Sequence, residues 1–230
     1  MLTTKDKIKF DPRIKPDYRQ KEVQRAAEVI TRLREKFPTA GCTLKYESRF
    51  QMLVTTILLT QSNESAVNWV TSKLFAVYPT AEACMSASRS DIEGLIRPIG
   101  FYRQKAKYII ETSRILVEKF HGQVPSTLLE MTQLPGVARK AGNMIIGELY
   151  QVAEGIQVDT SIKRVTGRLG LSKGNTASKA EHDLMRIVPQ GDWIQFPYLL
   201  MSLASFCCYA KRPACHVCPL SDICPSSTAE

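Results

Sequence analysis

Residues 126–151 read STLLEMTQLPGVARKAGNMIIGELYQ. A short helical segment, Ser126 to Gln133, runs into the turn Leu134-Pro135-Gly136-Val137, and a second helix is expected from Ala138 to about Gln151. Pro135 cannot continue a helix and Gly136 supplies the freedom for a tight reversal, so the stretch reads as two helices joined by a hairpin. Gly136 also lets backbone amides approach a phosphate, and the positive end of the second helix reinforces anion binding there.

Helical spacing continues outward on both sides. Val23, Ala26, Ala27, Ile30, Leu33 and Phe37 mark one face of a first helix that stops at Pro38. Phe50 to Thr60 is so apolar that a buried helix is expected. Ser90 and Glu93 read as a capping box, with Gly100 closing the helix they open. Further helices are expected over Arg103–Phe120, Thr160–Arg168, Thr176–Ile187 and Trp193–Cys207. Alternating apolar and polar runs bounded by hairpin turns are missing, so the fold class is all-α. Residues 1–22, charged and with little periodicity, are expected to form a flexible N-terminal extension.

Apolar residues make up 44% of the chain and charged residues 23%, a globular composition rather than a disordered or membrane one. Lys5, Asp6, Lys7 and Lys9 interrupt the first ten residues, so neither a signal-peptide core nor a spanning segment is expected there. A cytoplasmic location, or a nuclear one in a eukaryote, follows as the expectation. The 31 basic against 22 acidic side chains give a formal charge of +9, which favours a polyanionic partner through counterion release.

Cys42 and Cys84 stand alone, whereas Cys207, Cys208, Cys215, Cys218 and Cys224 crowd near the C-terminus. Cys208-x6-Cys215-x2-Cys218-x5-Cys224 suits zinc or an iron-sulfur cluster. Structural zinc usually takes two close pairs; here only the central pair is close, so the spacing favours a single 4Fe-4S cluster. Cys207 is an alternative to Cys208 as first ligand, and His216 is expected to face solvent.

Leu134-Pro135-Gly136-Val137-Ala138-Arg139-Lys140, then Val158-Asp159-Thr160, then the cysteine tail, resemble in order and spacing the endonuclease III family of helix-hairpin-helix DNA glycosylases. The resemblance covers about residues 23–225. It implies two helical domains with an active site in the cleft between them. A six-helix barrel with the helix-hairpin-helix would occupy 42–152, and an iron-sulfur domain built from both chain ends would occupy 23–41 plus 153–230. The family's second hairpin glycine is Ala138 here, and Ser161 stands where many members have histidine.

Lys140 falls in the first turn of the second hairpin helix, beside Arg139 and at the positive end of the dipole, a setting that suits a nucleophilic amine. The resemblance makes it the catalytic lysine. Asp159 reads as a helix N-cap, and the resemblance adds a catalytic role in stabilising positive charge on the sugar as the base departs. It also matches Gln61 to the glutamine that enters the duplex and Phe101 to an apolar wedge, since base removal requires an extruded nucleotide and a filled gap. Gly136, Ala138, Arg139, Lys211 and Arg212 are the remaining expected DNA contacts.

The implied activity is that of a bifunctional DNA glycosylase and apurinic/apyrimidinic lyase of base excision repair, acting on oxidised pyrimidines in double-stranded DNA as a monomer. The rivals are a mismatch or adenine glycosylase on the same scaffold and a non-catalytic iron-sulfur DNA-binding or electron-transfer protein. Thr56 stands where the adenine-specific relatives have a catalytic glutamate.

Overall fold

The computed structural model of the chain describes residues 16–229, and among them every regular element is helical. In chain order these are α1 (Pro16–Lys36), α2 (Arg49–Leu59), α3 (Glu64–Val77), α4 (Ala81–Ser86), α5 (Arg89–Leu95) and α6 (Tyr102–Phe120), then α7 (Leu128–Met131), α8 (Arg139–Tyr150), α9 (Thr160–Arg168), α10 (Ala177–Met185) and α11 (Phe196–Phe206). Helix α1 starts at Pro16, so residues 16–22, the last part of the expected extension, are helical. Proline is pre-set for that first position, where its missing amide would have had no helical partner. Residues 1–15, the rest of the expected extension, lie outside the described residues.

Side-chain caps define where most of the helices start. Ser48, Asn63, Thr80, Ser88, Thr127, Asp159 and Thr176 each accept the amide three residues on, the position that a helix itself leaves unpaired. The expected cap at Ser90 is displaced to Ser88, which accepts from Asp91 N at 3.1 Å. Both serines are followed three residues later by an acid, and the earlier one takes the helix. Gly100 does not close α5, whose C-cap is Ile96; it lies in the turn that leads into α6.

Two buried clusters organise the helices. The first surrounds α2, where every residue from Phe50 to Leu58 is buried, and joins Ile57 and Leu58 to Ile109 and Leu116 of α6 and to Ile145 and Ile146 of α8. The second gathers Ala26, Val29, Ile30 and Leu33 of α1 with Ile162 and Val165 of α9, Leu184 of α10 and Phe196, Leu199 and Leu200 of α11. On α1 the buried stripe runs through Val29 and leaves Val23 and Ala27 exposed, a shift from the expected face. Chain from near the start and from the last third therefore shares one core, and the middle of the chain forms the other.

Candidate functional site

The hairpin is built as its residue types require. Gly136 has φ +82°, and a Cβ there would come within 2.8 Å of the Tyr108 ring and 3.2 Å of Ile57. Both the left-handed backbone and the close approach of α2 and α6 demand glycine. Val137 N closes the turn on Leu134 O at 3.1 Å, and Thr112 Oγ1 donates to Pro135 O at 3.0 Å, which ties the turn to α6.

Helix α8 follows with Ala138 as its N-cap and no side-chain cap hydrogen bond, unlike the seven capped helices above. Its first-turn amides are thus presented without a side-chain acceptor, the arrangement that receives an anion. Arg139 and Lys140 occupy the first two helical positions and both are exposed. Behind them Arg139 Nε donates to Glu181 of α10, and Asn143 Nδ2 donates to the same carboxylate at 2.9 Å.

Asp159 caps α9, its Oδ1 accepting Ile162 N at 2.7 Å, as the sequence led one to expect. Lys140 and Asp159 consequently stand at the N-termini of helices that belong to different core clusters. Ser161, next in the α9 turn, is half-buried.

A cleft beside the hairpin is lined by Ile57, Thr60, Gln61, Phe101, Gln104, Lys105, Tyr108 and Gly136. It brings Gln61, Phe101 and Gly136 together although they lie far apart in sequence. Gln61 and Phe101 both adopt left-handed backbone, with φ +54° and +59°, and Phe101 is 68% exposed. An aromatic ring so exposed at a strained position is not there for packing.

Cys208, Cys215, Cys218 and Cys224 line one recess with Arg168, Leu169, Leu203, Pro213 and Ala214. All are free and half-buried. Arg168 Nη1 donates to Cys208 Sγ at 3.4 Å and to Tyr209 O at 2.6 Å, while Arg164 Nη2 donates to Cys208 O at 3.1 Å. Among the described residues no three histidine, cysteine or carboxylate side chains converge on a point that would hold a single metal ion. Four thiols lining one recess, with only the central pair close in sequence and a guanidinium alongside, fit an iron-sulfur cluster. Cys207 also lines the recess but is buried in the second core. His216, Lys211 and Arg212 are exposed, and Arg212 has left-handed backbone.

Sequence reading did not single out Lys105, Tyr108, Arg168 or Glu181. Lys105 carried a signal: it falls on the stripe Lys105, Ala106, Ile109, Thr112, Ser113 and Leu116 that α6 buries, where a cation is out of place.

Residues 54–190 match the HhH-GPD superfamily of base excision DNA repair proteins, and residues 208–224 match the iron-sulfur binding domain of endonuclease III. Endonuclease III of Synechocystis sp. is 41% identical over 206 residues, covering 90% of this chain and 94% of that protein. Endonuclease III of Haemophilus influenzae is 34% identical, covering 86% of this chain and 93% of that protein. Among solved structures, a trapped endonuclease III–DNA covalent intermediate superposes with a TM-score of 0.84 at 32% identity, covering 89% of this chain and 96% of that one.

Proposed function

The chain belongs to the HhH-GPD superfamily of base excision DNA repair proteins and carries the 4Fe-4S cluster of the endonuclease III type, and from that premise we propose that it is a bifunctional glycosylase and apurinic/apyrimidinic lyase acting on oxidised pyrimidines in duplex DNA. The observation that carries the reading is the start of α8, where uncapped amides follow a glycine hairpin and an exposed lysine sits in the first turn. A backbone phosphate completes the helix end, and that contact brings the Lys140 amine to the sugar. The relative caught as a covalent endonuclease III–DNA intermediate supports a nucleophilic route.

In this mechanism the unprotonated Nζ of Lys140 attacks C1′, and the C1′–N bond breaks as the base takes up a proton. The Asp159 carboxylate stabilises positive charge on the sugar while that bond lengthens. The sugar ring opens to an imine on Lys140. Loss of a C2′ proton then expels the 3′ phosphate by β-elimination, and water releases the lysine. Gln61 and Phe101 enter the stack vacated by the extruded nucleotide, and Gly136, Ala138, Arg139, Lys211 and Arg212 grip phosphates. Cys208, Cys215, Cys218 and Cys224 would hold the cluster through their thiolates, and the bound iron would tie the 208–224 loop closed, with Lys211 and Arg212 on the DNA side. The two buried clusters support a division into a barrel domain, 42–152, and an iron-sulfur domain, 23–41 plus 153–230, with Lys140 and Asp159 at the starts of helices from different clusters.

The adenine-specific alternative lacks its acid here. Thr56 is buried and spends its hydroxyl on Met52 O at 2.9 Å. The test is cleavage of a panel of duplexes, each with one defined lesion or mismatch. Incision at oxidised pyrimidines supports the reading, whereas base release confined to mismatched thymine or adenine, without incision, overturns it.

A further inference from the structure

Lys105 is 4% exposed, yet it lines the cleft that holds Gln61 and Phe101. Its Nζ donates to Leu58 O and to Ser62 Oγ, both at 2.9 Å. Leu58 lies in the last turn of α2, whose carbonyls have no helical partner, and Ser62 lies just beyond Gln61. One ammonium therefore grips the chain on both sides of Gln61. The other prominence starts the helix that carries Lys105, since Phe101 is the N-cap of α6 and its carbonyl accepts the first helical bond, from Lys105 N at 3.0 Å. The two turns also nearly touch: a Cβ on Gly100 would stand 3.5 Å from Gln61 O.

This arrangement is unfavourable for a lysine taken alone. Its acceptors are a carbonyl and a hydroxyl, and burial pushes its pKa down to about 8. Packing alone would be better served by methionine or leucine. What the ammonium does is fix the chain on both sides of Gln61, a non-glycine residue in a left-handed conformation that relaxes elsewhere unless the surroundings over-determine it, and the Gly100–Phe101 turn, left-handed at Phe101, packs against that fixed segment.

We propose that Lys105 is a positioning residue that holds Gln61 and Phe101 as one preformed wedge for the duplex, an inference that rests on the roles given to those two residues above. The wedge is needed in proportion to how strongly the target nucleotide is stacked and paired. Lys105→Met should therefore slow base release from a fully paired lesion by roughly tenfold or more, because a displaced contact far from the chemistry can cost on the order of a hundredfold. The same lesion placed opposite a one-nucleotide gap, already loosened, should be released at a rate within about twofold of wild type, since little unpairing work remains. Ser62→Ala, which removes one of the two acceptors, should show the same asymmetry at smaller amplitude, and it decides the matter if Lys105→Met does not fold. Equal loss on paired and gapped substrates, or no loss on either, overturns the proposal. Failure of the wild-type protein to release any lesion base would instead sink the functional reading beneath it.

Discussion

Arg139 Nε lies 3.1 and 2.9 Å from the two carboxylate oxygens of Glu181, joining the first turn of α8 to α10. The carboxylate is 8% exposed and the guanidinium 51%. Neighbours of Glu181 on α10, Ala180 and Leu184, pack in the second core, whereas Met144, Ile145 and Ile146 of α8 pack in the first. This pair thus connects the two cores one residue away from Lys140. A Cβ on Gly155 would collide with both Glu181 and Asn143, so glycine there makes room for the junction.

Glu181→Gln keeps the shape but removes the charge that two donors share. A hydrogen bond from a charged group to a buried carboxylate is worth a few kcal/mol, and half-exposure of the arginine reduces that, so a loss of about 1 kcal/mol is expected. Denaturant titration should show it. Because the junction braces the turn that bears Lys140, adduct formation on an abasic duplex should slow severalfold as well. Unchanged trapping with lowered stability would confine Glu181 to a structural role.

The cysteine recess predicts about four irons per chain with a yellow-brown colour, since thiols at this spacing suit a cubane. Cys218→Ser should lose the colour and leave the 208–224 loop open to protease, while Cys42→Ser, distant in sequence from the recess, should keep both. Stoichiometric zinc without visible absorbance contradicts the assignment.

With a formal charge of +9 and the phosphate contacts proposed at the hairpin and the cluster loop, affinity for duplex should fall steeply with salt. Lys211→Ala, at an exposed loop position, should lower the slope of log affinity against log salt by about one and weaken all sequences alike. A slope identical to wild type would remove Lys211 from the interface.

Much of this fold is legible in the sequence because its helices are amphipathic or wholly apolar and their ends are marked by capping residues. The hairpin, α2, α6, α9 and the cysteine loop follow from local pattern. What escapes is non-local or ambiguous. Ser88 and Ser90 both satisfy the cap pattern, and local pattern does not tell which of them caps the helix that buries Ile92 in the first core. Gln61 and Phe101 give no sign of left-handed backbone, since neither is glycine, and the contacts around Gln61, from Lys105 and from the Gly100 turn, come from about 40 residues away in sequence. Glu181 and Arg139 are 42 residues apart, and no periodicity connects them.

Asp159 is the N-cap of α9, and one substitution separates that role from the charge stabilisation proposed for it. Asparagine is as good an N-cap as aspartate, so Asp159→Asn should keep the bond to Ile162 N and melt close to wild type. Removal of the negative charge should still slow release of a lesion base by on the order of a hundredfold, the usual cost of losing one electrostatic stabiliser. On a preformed abasic site the base is already gone, and incision should suffer less. Equal damage to both steps would show that Asp159 acts beyond charge stabilisation.

The central claim is that Lys140 is the amine that joins the sugar, and borohydride trapping on an abasic duplex tests it most directly. Wild-type protein should form a covalent adduct stable to denaturation. Lys140→Gln keeps length and polarity and leaves the hairpin amides in place, so it should bind the same duplex with affinity within a few fold of wild type, because those phosphate contacts come from backbone. It should form no adduct and make no incision. A trapped adduct of undiminished yield with Lys140→Gln would mean that another amine is the nucleophile and that this account of the site is wrong.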